Sequence, residues 1–525
     1  MRKRNLCNPN LRNRNLRNKE RGIALLIVLM ALFLISAIGM GMIFMSNTET
    51  SINQNYKDTQ LAFFAMRGGL EEMRDRMRSN SVNPIPLPTA MPGTANSIIY
   101  ITNPGASETV DPKTYNTTNN YFDDEFCHET FSGLTTVALG TPCQSTATAP
   151  PSGSVPTNVA STSPYTGTSS SLKYKWVRIT LKQNGTFSTA PVDAGTVGSQ
   201  VCWDSTNSKE VSANALGYAD CPTAKTVGLN VGPVYIVTSL AYTPQGSRRI
   251  GQYEAAAISI TPPPGALALD GPAATFNPSP SSNNYFASGN NTGAAAYNGP
   301  GGPSACTATG PAQVPAVSVG DATGVTNIDT SITTNPDRSG NYTGTGGTPS
   351  VVNEGSTGGN QLSGAWSSTS QLNTLVSTMA NGADVTYTCA IGTPCNGTGP
   401  YGTNAAPQVT FVNGDFNFGS TSGAGVLVVT GTLNITGNSS FNGLILVIGQ
   451  GILHESGGGN GQFNGSVFLA VTNASTTPYA QLATLGSPQI QWTGGGTNGI
   501  QYNSCWANIG NNMHFMVVAS REEMY

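Results

Sequence analysis

Apolar and polar positions change period along this chain, and each change marks a different kind of element. From Ile23 to Ser46 lie 24 residues without a formal charge. As a helix rising about 1.5 Å per residue that run is roughly 36 Å long, enough to cross a hydrocarbon core ~30 Å thick. An apolar face continues at helical spacing through Ile52, Tyr56, Leu61, Phe64, Leu70 and Met73, which predicts one helix of about fifty residues, half in lipid and half beyond it. Glycine weakens a helix by ~1 kcal/mol relative to alanine. The half holding Gly39 and Gly41 is therefore expected to bend or melt locally, and Gly68-Gly69 to interrupt the second half.

Residues 81 to about 170 carry Pro84, Pro86, Pro88, "APPSG" and many Ser and Thr, which predicts long loops and little core. From about 171 the period shortens to two. "SLKYKWVRITLKQNG" and "GPVYIVTSLAYTPQGSRRIGQYEAAAISI" alternate like strands, the second around a turn at Pro244-Gln245-Gly246, as in an antiparallel sheet. The "TPPPG" of 261–265 ends that unit, because consecutive prolines cannot continue a ladder.

Beyond it the pattern repeats. "GDFNFG" at 414–419 returns as "GTLNITG" at 431–437, an offset of 17, and "GVLVVTG" at 425–431 returns as "GLILVIG" at 443–449, an offset of 18. "FNG" at 441–443 returns at 463–465, an offset of 22. Short aliphatic strands between Gly/Asn turns at near-constant spacing predict a short β-solenoid over about 407–472, with a small antiparallel sandwich as the alternative. Both strands of each pair shift by nearly the same amount, which favours the solenoid. "STSQLNTLVSTMANGAD" at 368–384 reads as a helix beside it. The expected fold is α+β: a long N-terminal helix, an antiparallel β-rich domain, and a C-terminal all-β domain.

Charge sets the orientation of the helix. Met1 to Gly22 carries eight Lys and Arg against Glu20, a side-chain sum of +7, and such a flank stays in the cytoplasm. A secretory signal has an apolar region of about 7–15 residues and a small-residue cleavage site, and this segment has neither. Without the leader the balance is about −10, which excludes a general nucleic-acid surface. At 525 residues the chain exceeds one core and should divide into at least two folded units.

Of nine cysteines, Cys7 lies in the leader and eight remain: Cys127, Cys143, Cys202, Cys221, Cys306, Cys389, Cys395 and Cys505. An even set in an exported chain reads as disulfides. Connectivity stays open; local pairing would join Cys127 to Cys143, Cys202 to Cys221 and Cys389 to Cys395, leaving Cys306 for Cys505. The spacings do not form zinc knuckles.

Catalytic chemistry is thin. His128, His454 and His514 are far apart, and no metal-binding His pair, nucleophile elbow or P-loop occurs. No enzyme, cofactor or metal is expected. "DDEFCHE", Asp123 to Glu129, reads as a calcium loop or a solvated loop beside a cysteine. Trp492, Tyr502 and Trp506 could stack on a surface glycan if exposed, or cap the repeats. A glycan-cleaving site would need paired carboxylates, and Asp415 and Glu455 are the only acids in 407–472.

Arg21-Gly22 followed by "IALLIVLMALFLI" and then by "NTETSINQNYKDTQLAFFAMRGGLEE" resembles the N-terminal region of PilX-type minor pilins of type IV pili, and is similar to K-type pseudopilins. The resemblance implies that prepilin peptidase cuts between Gly22 and Ile23, removing 1–22. It also implies that 23–80 is a transmembrane and exposed pilin helix, and that 81–260 is a loop-rich pilin-like domain packed on it. Residues 261–265 would be a linker, and 266–525 an appended domain similar to those of PilX-like proteins in environmental bacteria and, more loosely, to bactofilins. Major pilins carry a glutamate at the fifth mature position; here it is Ile27, as is common in minor subunits. The implied partners are prepilin peptidase, major and minor pilins, the inner-membrane assembly platform and the membrane. The implied place is the bacterial inner membrane, with the C-terminal part periplasmic, or outside the cell in a pilus. A membrane-anchored adhesin or structural β-solenoid independent of pili is the alternative.

Overall fold

The computed structural model describes residues 14–523 except 79–80, 82–83, 93–96, 103–108, 115–117, 127–154, 159–173, 186–190, 227–228, 280–283, 307–309, 335, 356–361, 363–365, 367, 457–458 and 512. Helix α1, Arg14–Arg76, runs 63 residues unbroken through Gly39, Gly41, Gly68 and Gly69. Gly69 is there for contact: a Cβ would lie 2.5 Å from Ser239 Oγ and 2.7 Å from Tyr174 Cγ, so only glycine lets the helix approach the sheet this closely. The second half of α1 lays Ala65, Met66, Leu70 and Met73 on Val177, Ile179, Val237 and Ala255. Packing of this face holds the helix where propensity alone would weaken it.

The sheet beneath consists of β1 (Ile98–Thr102), β2 (Val155–Asn158), β3 (Tyr174–Leu181), β4 (Val201–Asp204), β5 (Lys209–Ser212), β6 (Val231–Tyr242) and β7 (Arg248–Ala257). Spatially it runs β2-β1-β3-β6-β7, with the hairpin β4-β5 attached to the start of β6. All pairs are antiparallel except β1 with β2. The β6-β7 hairpin closes where Thr243 N donates to Ser247 O at 2.9 Å and Gly246 takes φ +95°.

The outer edge of β7 is covered from the far end of the chain. Phe515–Glu523 pairs with it antiparallel, Phe515 opposite Ala257 and Glu523 opposite Ile250. The stretch drawn as one unit over 266–525 therefore gives its last strand to the first sheet. That strand occupies an edge that would otherwise expose unpaired backbone groups.

Between β7 and this strand lies the head, built from parallel pairs. Gln408–Asn413, Ser422–Val429, Ser440–Gly449 and Gln462–Asn473 stack in order in one sheet, and Phe416–Gly419, Thr432–Thr436, Ile452–Ser456 and Gln489–Trp492 in another. The register follows the sequence repeats: Phe416 pairs with Leu433, Gly425 with Gly443, and Phe441 with Phe463. Earlier segments extend the stack, with Leu267–Asp270 on Val467–Ala470 and Val317–Val319 on Leu267–Leu269. One strand, Gln481–Gly486, pairs antiparallel, so the sheet is mixed.

Glycine fixes the bend between consecutive runs. Gly425, Gly443 and Gly465 take φ of +124°, +145° and +139°, and a Cβ at each would lie 2.0, 1.9 and 1.9 Å from the carbonyl oxygen of the preceding layer. No side chain fits there. Between the sheets Phe416, Phe418, Leu433, Ile435, Phe441 and Phe463 form a continuous core. Behind the larger sheet Leu444, Leu446 and Phe468 meet the helix Thr369–Asn381 and Trp506.

Candidate assembly surface and the sites around it

From Ile23 to Met45 α1 is apolar on every side. Ile23–Arg76 is long and apolar enough to cross a membrane, and none of its most apolar window is buried. Ile27 is 60% exposed and Phe33 81% exposed. Leu26, Leu29, Met30, Phe33, Leu34 and Ala37 outline a shallow apolar concavity. Just beyond the run, Thr48, Thr50 and Ser51 donate to the carbonyls of Phe44, Ser46 and Asn47 at 2.8–2.9 Å. Hydroxyls bonded back in this way let polar residues continue an apolar helix without unsatisfied groups. Gly22 and Ile23 fall inside the unbroken helix.

The other end of α1 is anchored by charge. Arg76 and Glu72 form a buried pair at 3.2 Å, Tyr253 Oη donates to Glu71 at 2.9 Å, and Arg78 reaches Asp384 of the head at 2.7 Å. A polar cavity of about 300 Å³ lies at this junction, with His514 on its wall beside Arg74 and Arg78. Burial, reinforced by the field of Arg74, pushes the His514 imidazole down to about 4.

The acidic run is neither a calcium loop nor a solvated one in its described part. Asp123 is fully buried; its Oδ2 accepts from Tyr100 Oη at 2.7 Å and from Arg178 Nη1 at 2.6 Å. Burial raises its pKa although Arg178 opposes this. Asp124 pairs with Arg248 and Glu125 with Arg521 at 3.4 Å. Three consecutive acids thus clasp β3, β7 and the C-terminal strand through one arginine on each. Buried carboxylates need such partners. Cys127, His128 and Glu129 lie outside the described residues.

Among the described residues three disulfides are present, Cys202–Cys221, Cys306–Cys505 and Cys389–Cys395; Cys127 and Cys143 are outside the described residues. The aromatic trio offers no glycan platform. Trp492, Tyr502 and Trp506 are 1%, 3% and 0% exposed. Trp492 packs against Phe276, Tyr285 and Tyr342, and Trp506 against Tyr297.

Asp415 and Glu455 are not brought together as a catalytic pair. Asp415 accepts from the backbone N–H of Gly392 at 2.6 Å and Thr432 at 2.7 Å, holding two turns. Glu455 faces inward opposite Trp492, and burial pushes its carboxyl up to about 8. His454 points outward while His514 sits at the junction. Among the described residues no group of three or more His, Cys, Asp and Glu could hold a metal.

Sequence reasoning missed the clasp and the C-terminal strand. It also missed a row of carboxamides. Asn417 Nδ2 donates to Asn396 Oδ1 at 2.9 Å and Asn434 Nδ2 to Asn417 Oδ1 at 3.1 Å. The signal for the row was visible: asparagine recurs in the middle of "FNF" and "LNI". Compared with protein-family models, curated proteins and solved structures, the chain matches none.

Proposed function

We propose that this chain is a minor subunit, placed at the tip or priming assembly, of a type IV pilus or a related filament, cut by prepilin peptidase after Gly22 and presenting a large β-rich head. The observation that carries the reading is the contrast within α1: side chains from Ile23 to Met45 are exposed all round, while Ala65 to Met73 are packed on a sheet. A helix apolar on every face needs lipid or other apolar helices around it. In a filament it has both in turn, first the inner membrane and then neighbouring pilins. Ile27 supports a minor role, because it lacks the carboxylate that would meet a neighbour's terminal amine.

The parallel stack is read as a short β-solenoid appended to a pilin-like unit, supported by the coincidence of repeat offset and register. The head would stand in the periplasm before assembly and outside the cell afterwards, with major and minor pilins and the inner-membrane assembly platform as partners. Terminal sequencing of the protein from its native host tests the reading: the mature chain should begin at Ile23. Retention of the basic leader would leave a plain membrane anchor bearing the same head and would overturn the filament assignment.

A further inference from the structure

The outer face of the smaller parallel sheet has a chemistry that neither the filament reading nor the core requires. Its strands alternate inward with outward positions, apolar inside and polar outside except at Ile452, which is half-exposed, and Glu455, which is buried. The outward positions align in one register: Asn396 beside Asn417, Asn417 beside Asn434, Asn434 beside His454, His454 beside Gln491, and Gln491 beside Asn277. All six are exposed or half-exposed. Adjacent strands are about 4.8 Å apart, so the row extends roughly 24 Å. Flanking it are Thr432, Ile452, Gln489 and Thr275 on one side and Thr436 and Ser456 on the other, and among the described residues these strands turn no Lys, Arg, Asp or Glu outward.

The hydrogen-bond inventory of the row is what points to a partner. A carboxamide has two N–H donors and an oxygen with two lone pairs. Asn417 spends one donor on Asn396 and accepts once from Asn434. It therefore retains one donor and one acceptor site facing out. These two bonds hold Asn396, Asn417 and Asn434 in one orientation, so less side-chain entropy is lost when something docks on that part of the row. A row of donors and acceptors, fixed over Asn396 to Asn434 and without lysine, arginine or carboxylate, matches a ligand whose groups both donate and accept. Sugar hydroxyls do both. An acidic glycan or nucleic acid would find no lysine or arginine on this face, and an apolar partner would strand the amides unpaired.

We propose that this face binds a neutral, hydroxyl-rich glycan chain lying along the Asn396-to-Asn277 row. The inference goes beyond the filament reading and does not depend on it, since an anchored head would bind equally; failure to bind would leave the cleavage result standing. The full chain in detergent micelles should be tested on a printed array of neutral and acidic polysaccharides, with affinities then taken for the best neutral ligand. Asn434→Lys, an outward substitution in mid-row, should weaken binding at least tenfold while the thermal midpoint falls only slightly, as the loss of one half-exposed hydrogen bond to Asn417 requires. Gln491→Lys, further along, provides a second variant should the first disturb folding. Val197→Lys, at a position 67% exposed in the first unit, should bind as the wild type does. Binding to acidic glycans alone, no binding to any, or equal binding by both row variants would overturn the proposal. So would a chain that self-associates through this face, seen as a dimer in sedimentation that Asn434→Lys dissolves.

Discussion

The two sheet systems of this molecule are held by opposite means. In the first unit, distant segments are tied by charge: Arg178, Arg248 and Arg521, on three different strands, converge on Asp123, Asp124 and Glu125. In the head, neighbouring layers are tied by repetition: the same glycine bend, the same inward aliphatic and the same outward amide recur from layer to layer. A clasp of that kind fails when one partner is lost. A stack fails when one layer cannot fit the next.

The largest effect should come from breaking the stack at its bend. Gly443→Ala would put a Cβ 1.9 Å from Gly425 O at a φ of +145°, and should cost at least about 4 kcal/mol, in the range reserved for such clashes. Hydrogen exchange reads the two regions separately. Protection should vanish from 408–471 and persist in β6 and β7. Retained protection in the head would mean that the layers can slide apart at no great cost.

Asp123→Leu sharpens the comparison from the other side. It leaves Arg178 buried without its carboxylate, and breaking a buried pair in this way costs about 3–5 kcal/mol. Here β3, β6, β7 and the C-terminal strand should lose protection while 408–471 keep theirs. Equal loss in both regions would show that the head depends on the clasp.

This division also decides what could be read in advance. The layers were legible because a parallel stack repeats its register in the sequence: offsets of 17, 18 and 22 are the pairings Phe416 with Leu433, Gly425 with Gly443, and Phe441 with Phe463. The β6-β7 hairpin and the helix Thr369–Asn381 were legible through local alternation and period. Arg521 to Glu125 was not, since the two lie 396 positions apart and nothing local marks either as a partner. The acidic run was open only to a calcium-loop or a solvated-loop reading, because its neutralising arginines come from other strands. Trp492 and Trp506 left a surface and a capping reading open because glycines surround them; those glycines belong to turns, and the rings are buried.

A smaller, pH-dependent effect should separate core from clasp. Folded Glu455 keeps its proton up to about pH 8, whereas an unfolded glutamate releases it near ~4.3. Between these values the folded state binds the extra proton, so stability falls as pH rises from about 4.5 to about 8 and the full penalty remains above that. Glu455→Gln should abolish this slope and stabilise the head at pH ~9 by on the order of 1–3 kcal/mol, read as a shift in urea midpoint between acid and alkaline buffers. A midpoint that rises with pH in the wild type, or an unchanged slope in the variant, would contradict the burial of this carboxyl.

The return of Phe515–Glu523 to β7 has a mechanical consequence. The head leaves the first sheet at Ala257 and re-enters it at Phe515, which is paired with Ala257, and just above this point Ile258 N–H donates to His514 O at 3.1 Å. A pull on the head, against α1 held at its far end, thus divides between two strands lying side by side. The load enters both strands at the same end, so the head parts from the first sheet only if both are released. Any tension between a surface gripped by the head and the helix behind it would be borne by that doubled attachment.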